Sequence, residues 1–114
     1  MRRDRRLRRR ADFAAAYRSG KVEGSRLLVV RVRPNGGPKT RFGFVAGKVV
    51  GGAVVRNKVK RRLRAACEGL QIVEGLDIVI GARRTAAEAD YAALHRSLVT
   101  LLTKAKALAQ SESL

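Results

Sequence analysis

The stretch Ala53-Val54-Val55-Arg56-Asn57-Lys58-Val59-Lys60-Arg61-Arg62-Leu63-Arg64-Ala65-Ala66-Cys67-Glu68 decides how this chain is read. On a helical wheel Val55, Val59, Leu63, Ala66 and Cys67 share one stripe, while Arg56, Asn57, Lys58, Lys60, Arg61, Arg62 and Arg64 cover the rest. The period predicts a helix that rests on a core and turns outward six cations, packed into nine residues without an acid. Solvated helix faces ordinarily mix signs and so gain i,i+4 pairs. Six like charges repel one another, and a polyanion relieves that repulsion, so the helix reads as a binder of nucleic-acid backbone.

The flanks of this helix predict the rest of the architecture. Arg41–Ala46 alternates, with Phe42, Phe44 and Ala46 on one face, and Ser25–Arg33 alternates with Leu28, Val30 and Val32 on one face. The turn signal Pro34-Asn35-Gly36-Gly37-Pro38 between them predicts a hairpin. Val49-Val50 reads as a short third strand before Gly51-Gly52. Upstream, residues 1–10 hold seven Arg and form a basic arm, which runs into a helix over Asp12–Ser19 that stops at Gly20. Downstream, Leu76–Ala82 reads as a buried strand. Tyr91, Leu94, Leu98, Leu101, Leu102, Ala105 and Leu108 then mark a last helix. Asp90 is the favoured N-cap of that helix, in competition with a capping box Thr85-Ala86-Ala87-Glu88. The expected fold is α+β, a single domain over 1–114 in the order α-β-β-β-α-β-α. It has one mostly antiparallel four-stranded sheet, helices on one face, the other face partly open, and a flexible tail at 110–114.

Composition narrows the class. A chain of 114 residues supports one modest core. Its 26 Lys and Arg against 9 acids give +17, yet 46% of the residues are hydrophobic, too many for a disordered cationic tail. Residues 1–64 carry 21 Lys and Arg and 3 acids, while residues 65–114 are close to neutral, so the front part holds the binding surface. The longest aliphatic run, Leu27–Val30, is far short of a membrane span. A lone Cys67 leaves no disulfide framework and fits a reducing cytoplasm; with one His it makes no ordinary zinc site.

Candidate chemistry is of the binding kind. Gly43-x-x-x-Gly47-Lys48 is one residue short of a P-loop, and Val49 stands where a magnesium-binding Ser or Thr belongs. Lys48 and Gly51-Gly52 ahead of a helix start read instead as an anion pocket. Phe13 and Tyr17, four apart, are either base-stacking platforms, core residues, or one of each. Arg41-Phe42-Gly43-Phe44-Val45 is reminiscent of an RNA-recognition strand, but it lacks the glycine after Arg41 and the final aromatic, so Phe42 and Phe44 read as core. One His and scattered acids leave no catalytic constellation and no carboxylate cluster for metal ions, which disfavours a protein-only nuclease. A general RNA-binding or ribosomal protein remains as the other class.

Gly43-Phe44-Val45-Ala46-Gly47-Lys48-Val49-Val50-Gly51-Gly52-Ala53-Val54-Val55-Arg56-Asn57-Lys58-Val59-Lys60-Arg61-Arg62-Leu63-Arg64 closely resembles the signature of the bacterial ribonuclease P protein component. The likeness extends from about Leu7 to Leu102 through Asp12-Phe13, Gly20, Asp77-Ile78-Val79-Ile80 and Ala82-Arg83. It implies an α-β sandwich with a left-handed βαβ crossover, acting as the protein subunit of a ribonucleoprotein endoribonuclease. The catalytic RNA of that enzyme removes 5′ leaders from precursor tRNA with Mg2+ held mainly by the RNA. By the same likeness Arg56, Asn57, Lys58, Lys60, Arg61 and Arg64 are contacts to the catalytic RNA. Phe13, Tyr17, Arg31 and Lys48 are leader-cleft residues, and the protein supplies no catalytic or metal-binding residue. The implied partners are the catalytic RNA and precursor tRNA, in the cytoplasm, with no membrane and no obligate protein partner. Lys58 departs from the family's second Arg of Arg-Asn-Arg, Val49 from a lysine, Gly47 and Gly52 from Ser and Asn, and Arg31 from a frequent aromatic.

Overall fold

The computed structural model describes residues 3–109. The chain runs α1 (Arg10–Ser19), β1 (Lys21–Gly24), β2 (Leu28–Pro34), β3 (Arg41–Ala46), α2 (Ala53–Glu68), β4 (Leu76–Ala82) and α3 (Tyr91–Lys104). Single 3-10 turns fill Arg3–Arg5, Lys48–Val50 and Arg84–Glu88. The tail expected at 110–114 lies outside the described residues, as does the very start of the basic arm.

The four strands lie in the order β1-β2-β4-β3, and this corrects the expected hairpin. β2 does not pair with β3. β4 lies between them, antiparallel to β2 and parallel to β3, so the sheet is mixed rather than mostly antiparallel. The reason is burial. Asp77, Ile78, Val79 and Ile80 are buried in succession, the mark of a strand covered on both faces, and such a strand belongs in the middle. The turn at 34–38 still forms, with Gly37 N–H donating to Asn35 Oδ1 at 2.7 Å, but it carries the chain past the place that β4 fills. The parallel β3–β4 pair in turn requires a crossover, and α2 is that crossover.

The expected element order holds, but with a different fourth strand. Val49-Val50 is a 3-10 turn, with Val50 buried and Val49 exposed. The fourth strand is instead Lys21–Gly24, paired antiparallel with β2. Asp90 caps α3, its carboxylate accepting from Ala93 N–H at 2.8 Å. The rival capping box folds as the separate turn Arg84–Glu88. Gly20 ends α1 for a steric reason: its backbone is extended, and a Cβ there would stand 2.4 Å from the Ala16 carbonyl oxygen.

Helices cover both faces, where one had been expected. Leu28, Val30, Val32, Phe42, Ile78 and Ile80 join Val59, Leu63, Leu94, Leu98, Leu101 and Leu102 in the main core beneath α2 and α3. On the opposite face Leu7, Ala16 and Val79 form a smaller cluster with Phe13 and Val45, which holds α1 down. The arm follows the free edge of β3: Leu7 N–H donates to the Phe42 carbonyl at 2.8 Å, and Arg5 and Lys39 pair with Glu74 and Asp4. Covering an edge in this way blocks strand addition. No described helix is long and apolar enough to cross a membrane.

Candidate nucleic-acid interface

The face that carries α1 is only part covered. Val22, Arg31, Val79 and Gly43 stand in one cross-strand row under the helix. A Cβ on Gly43 would meet Phe13 Cε1 at 2.4 Å, so the Phe13 ring lies directly on the strand backbone and is half-buried. Tyr17, one turn further on, is 47% exposed, and the Arg31 guanidinium carbon sits 4.4 Å from its ring centroid. Of the paired rings, then, one is anchored and one is presented. Arg31 Nε is buried without a hydrogen-bond partner in the structure, a polar atom still owed an acceptor. The next row, Gly24, Val29, Gly81 and Val45, has no helix above it at Gly81, where a Cβ would find only the Val29 carbonyl oxygen, 3.7 Å away. The result is an open strip walled by α1 and floored by Val29, the bare backbone of Gly81 and Val45, with Arg83 over its far end, where a Cβ on Gly24 would stand 2.9 Å from Arg83 Nη2. Phe13, Tyr17 and Arg31 are brought together on it. Lys48, exposed in the turn after β3, stands beyond the end of the strand and outside that group.

α2 lies on the other side of the sheet. Val59, Leu63, Ala66 and Cys67 are buried and Val55 partly so, as the wheel predicts. Arg56, Lys60 and Arg64 occupy one flank at four-residue spacing, half-buried, with the Arg64 guanidinium carbon 5.7 Å from the Phe44 ring centroid. Asn57, Lys58 and Arg61 are exposed on the outer surface. The ion pairs among the described residues take in Arg5, Lys39 and Arg41, and none takes in a cation of α2. Gly52 caps the helix without a side-chain hydrogen bond, and no acid lies in the first turn. Its free N–H groups and positive dipole end therefore add to the same cationic surface.

Two features that the sequence reading missed hold this arrangement. Asp77, wholly buried, accepts from Arg41 Nε and Nη2 at 3.0 and 2.9 Å and from Asn35 Nδ2 at 2.9 Å. Arg41 also reaches Asp12 on α1 at 3.4 Å, so one guanidinium ties the helix to the sheet. The hydrogen bonds to Asp77 hold the Arg41 pKa above its ordinary value. A single charge inside the apolar run Leu76–Ile80 was the available signal; its partner lies 36 residues away and left none. The second feature is the Gly81 floor, which appears only once register is known.

Reactive groups are few. Burial pushes the Cys67 thiol up to about 12, far from a nucleophile's range. No group of three or more His, Cys, Asp or Glu among the described residues converges as metal ligands.

A family model described as Ribonuclease P matches residues 1–106. A ribonuclease P protein component from Streptomyces bikiniensis is 46% identical over 110 residues, spanning 87% of this chain and 89% of the relative. The solved RNase P protein of Staphylococcus aureus aligns with a TM-score of 0.84 at 30% identity, covering 92% of this chain and 98% of that one. That of Thermotoga maritima gives 0.77 at 32% identity, covering 87% and 96%.

Proposed function

The chain belongs to the ribonuclease P protein family, as the protein subunit of the ribonucleoprotein endoribonuclease that acts with an RNA subunit in tRNA 5′ leader processing, and from that premise we propose how it divides its surface. The open strip takes the single-stranded leader of precursor tRNA. Phe13 shapes its wall, Tyr17 offers a ring on which any base stacks, Arg31 meets a phosphate or base edge, and Lys48 attracts the strand at the far end. Such contacts tolerate sequence, as a protein serving many precursors requires. On the opposite side Arg56, Asn57, Lys58, Lys60, Arg61 and Arg64 dock the catalytic RNA by its phosphates. Mg2+ is held mainly by that RNA, which performs the bond breaking. The protein contributes substrate affinity and works in the cytoplasm.

The observation that carries this reading is the exposed Tyr17 ring under Arg31 beside the uncovered backbone of Gly81. Its test is the affinity of the reconstituted holoenzyme for precursor and for mature tRNA at low magnesium. The intact protein favours the precursor, and Phe13→Ala with Tyr17→Ala abolishes that preference. Equal affinity for both RNAs in the unmodified holoenzyme refutes the leader strip. Cleavage by RNA-free protein refutes the division of labour.

A further inference from the structure

Tyr91 opens α3 and belongs, by spacing, to its apolar stripe, yet it is 44% exposed while Leu94, Leu98, Leu101 and Leu102 are buried. The ring touches another ring: His95, one turn on, lies 5.9 Å away between centroids at 32°. The direction of this pair follows from the helix. Ser97 hydrogen-bonds Ser25 at 2.6 Å, which turns its flank of α3 toward the β1–β2 connection. Tyr91 and His95 stand about 120–160° around the helix from Ser97, on the flank that faces α2. α2 reaches that place as well. Arg62 Nη1 donates to the Ala89 carbonyl at 2.9 Å, two residues before Tyr91, and fixes the spacing of the helices there. Lys58 lies one turn back on the same flank, exposed, with Arg61 beside it.

We propose that the groove between the Lys58–Arg62 flank of α2 and the Tyr91–His95 ring pair of α3 is a second stacking site, occupied by an unpaired base of the catalytic RNA whose flanking phosphates lie on Lys58 and Arg61. The proposal rests on the reading that α2 docks the catalytic RNA. Charge complementarity names the occupant: on the α2 side Lys58, Arg61 and Arg62 join no ion pair among the described residues, on the α3 side Tyr91 is 44% exposed, and of the two nearby carboxylates, Glu88 and Asp90, the latter is engaged in capping Ala93 N–H. Phosphate contacts alone position a polyanion loosely, whereas a stacked base adds register. The site also lies across the sheet from Tyr17, so the leader and this base do not compete.

The experiment uses full-length protein and catalytic RNA. Tyr91→Ala weakens their association about five- to a hundredfold, the range of one base–aromatic stack, while Tyr91→Phe stays within about twofold of the original. The preference of the saturated holoenzyme for precursor over mature tRNA is unchanged in both. The chain has no Trp, so Tyr91→Trp places a lone indole in the groove, and catalytic RNA quenches its emission. Unchanged affinity in Tyr91→Ala, or unquenched emission in a Tyr91→Trp protein that binds RNA, overturns the proposal. If Lys58→Ala with Arg61→Ala weakens binding while Tyr91→Ala does not, the stacking site falls and the α2 reading stands. If neither variant weakens binding, both fall.

Discussion

Gly43 decides what Phe13 does. The four-residue spacing of Phe13 and Tyr17 shows that both rings leave one face of α1, but not which of them meets the sheet. That depends on a missing side chain 30 residues away, which lets the Phe13 ring settle on strand backbone. Gly43→Ala therefore lifts the ring and loosens α1. The expected cost is about 1–3 kcal/mol in denaturant unfolding, with a larger loss of precursor preference than of catalytic-RNA affinity. Asp77 teaches the complementary lesson. Its charge within an apolar run was visible in the sequence, but its partners Arg41 and Asn35 became known only with the register. Asp77→Ala leaves Arg41, a third exposed, with only its longer contact to Asp12, and the lost charge-assisted hydrogen bonds should lower unfolding stability by about 2 kcal/mol. Denaturant titrations of the two variants at matched salt check both values.

At the scale of elements, α2 and α3 were legible because an amphipathic period repeats over several turns, and Asp90 is a local cap. β1 was not legible: four residues, mostly exposed, carry no alternation to read, and β2 alone makes them a strand. The hairpin expectation failed because a turn signal states that the chain bends, not which strand receives it. The arm makes a prediction of its own. Hydrogen bonds from Arg5, then from the Thr40 N–H, hold the Glu74 carboxyl at about 2, below its ordinary 4.5. A carboxylate depressed by folding stabilises the docked arm in full above its ordinary value, and that contribution fades as pH falls toward about 2. Hydrogen exchange at the Leu7 amide, which is bonded to Phe42, should accelerate across that window relative to a Glu74→Gln protein, in which the acid-dependent part disappears.

For the whole molecule, charge is the governing quantity. A net +17 on 114 residues makes RNA affinity fall steeply with salt. Each phosphate contact removed from α2, as in Arg56→Ala, Lys60→Ala and Arg64→Ala together, should flatten the log–log salt slope for catalytic-RNA binding by about 0.7–0.9. The same substitutions should leave the salt dependence of leader discrimination in the assembled holoenzyme nearly unchanged, because Tyr17 and Arg31 lie on the far side of the sheet. Composition announced the charge and its polyanionic partner. It did not announce that the cations of α2 and the exposed ring of Tyr17 belong to opposite layers, since that depends on β4 entering between β2 and β3.

That insertion has a consequence for the evolution of such a protein. On the proposed division of surfaces, four strands act as a bulkhead, so that the α1 side can be remodelled toward one RNA while the α2 side is kept for the other. Drift on one surface need not disturb the other, and chimaeras that exchange only α1 and the arm should keep their hold on the parental RNA.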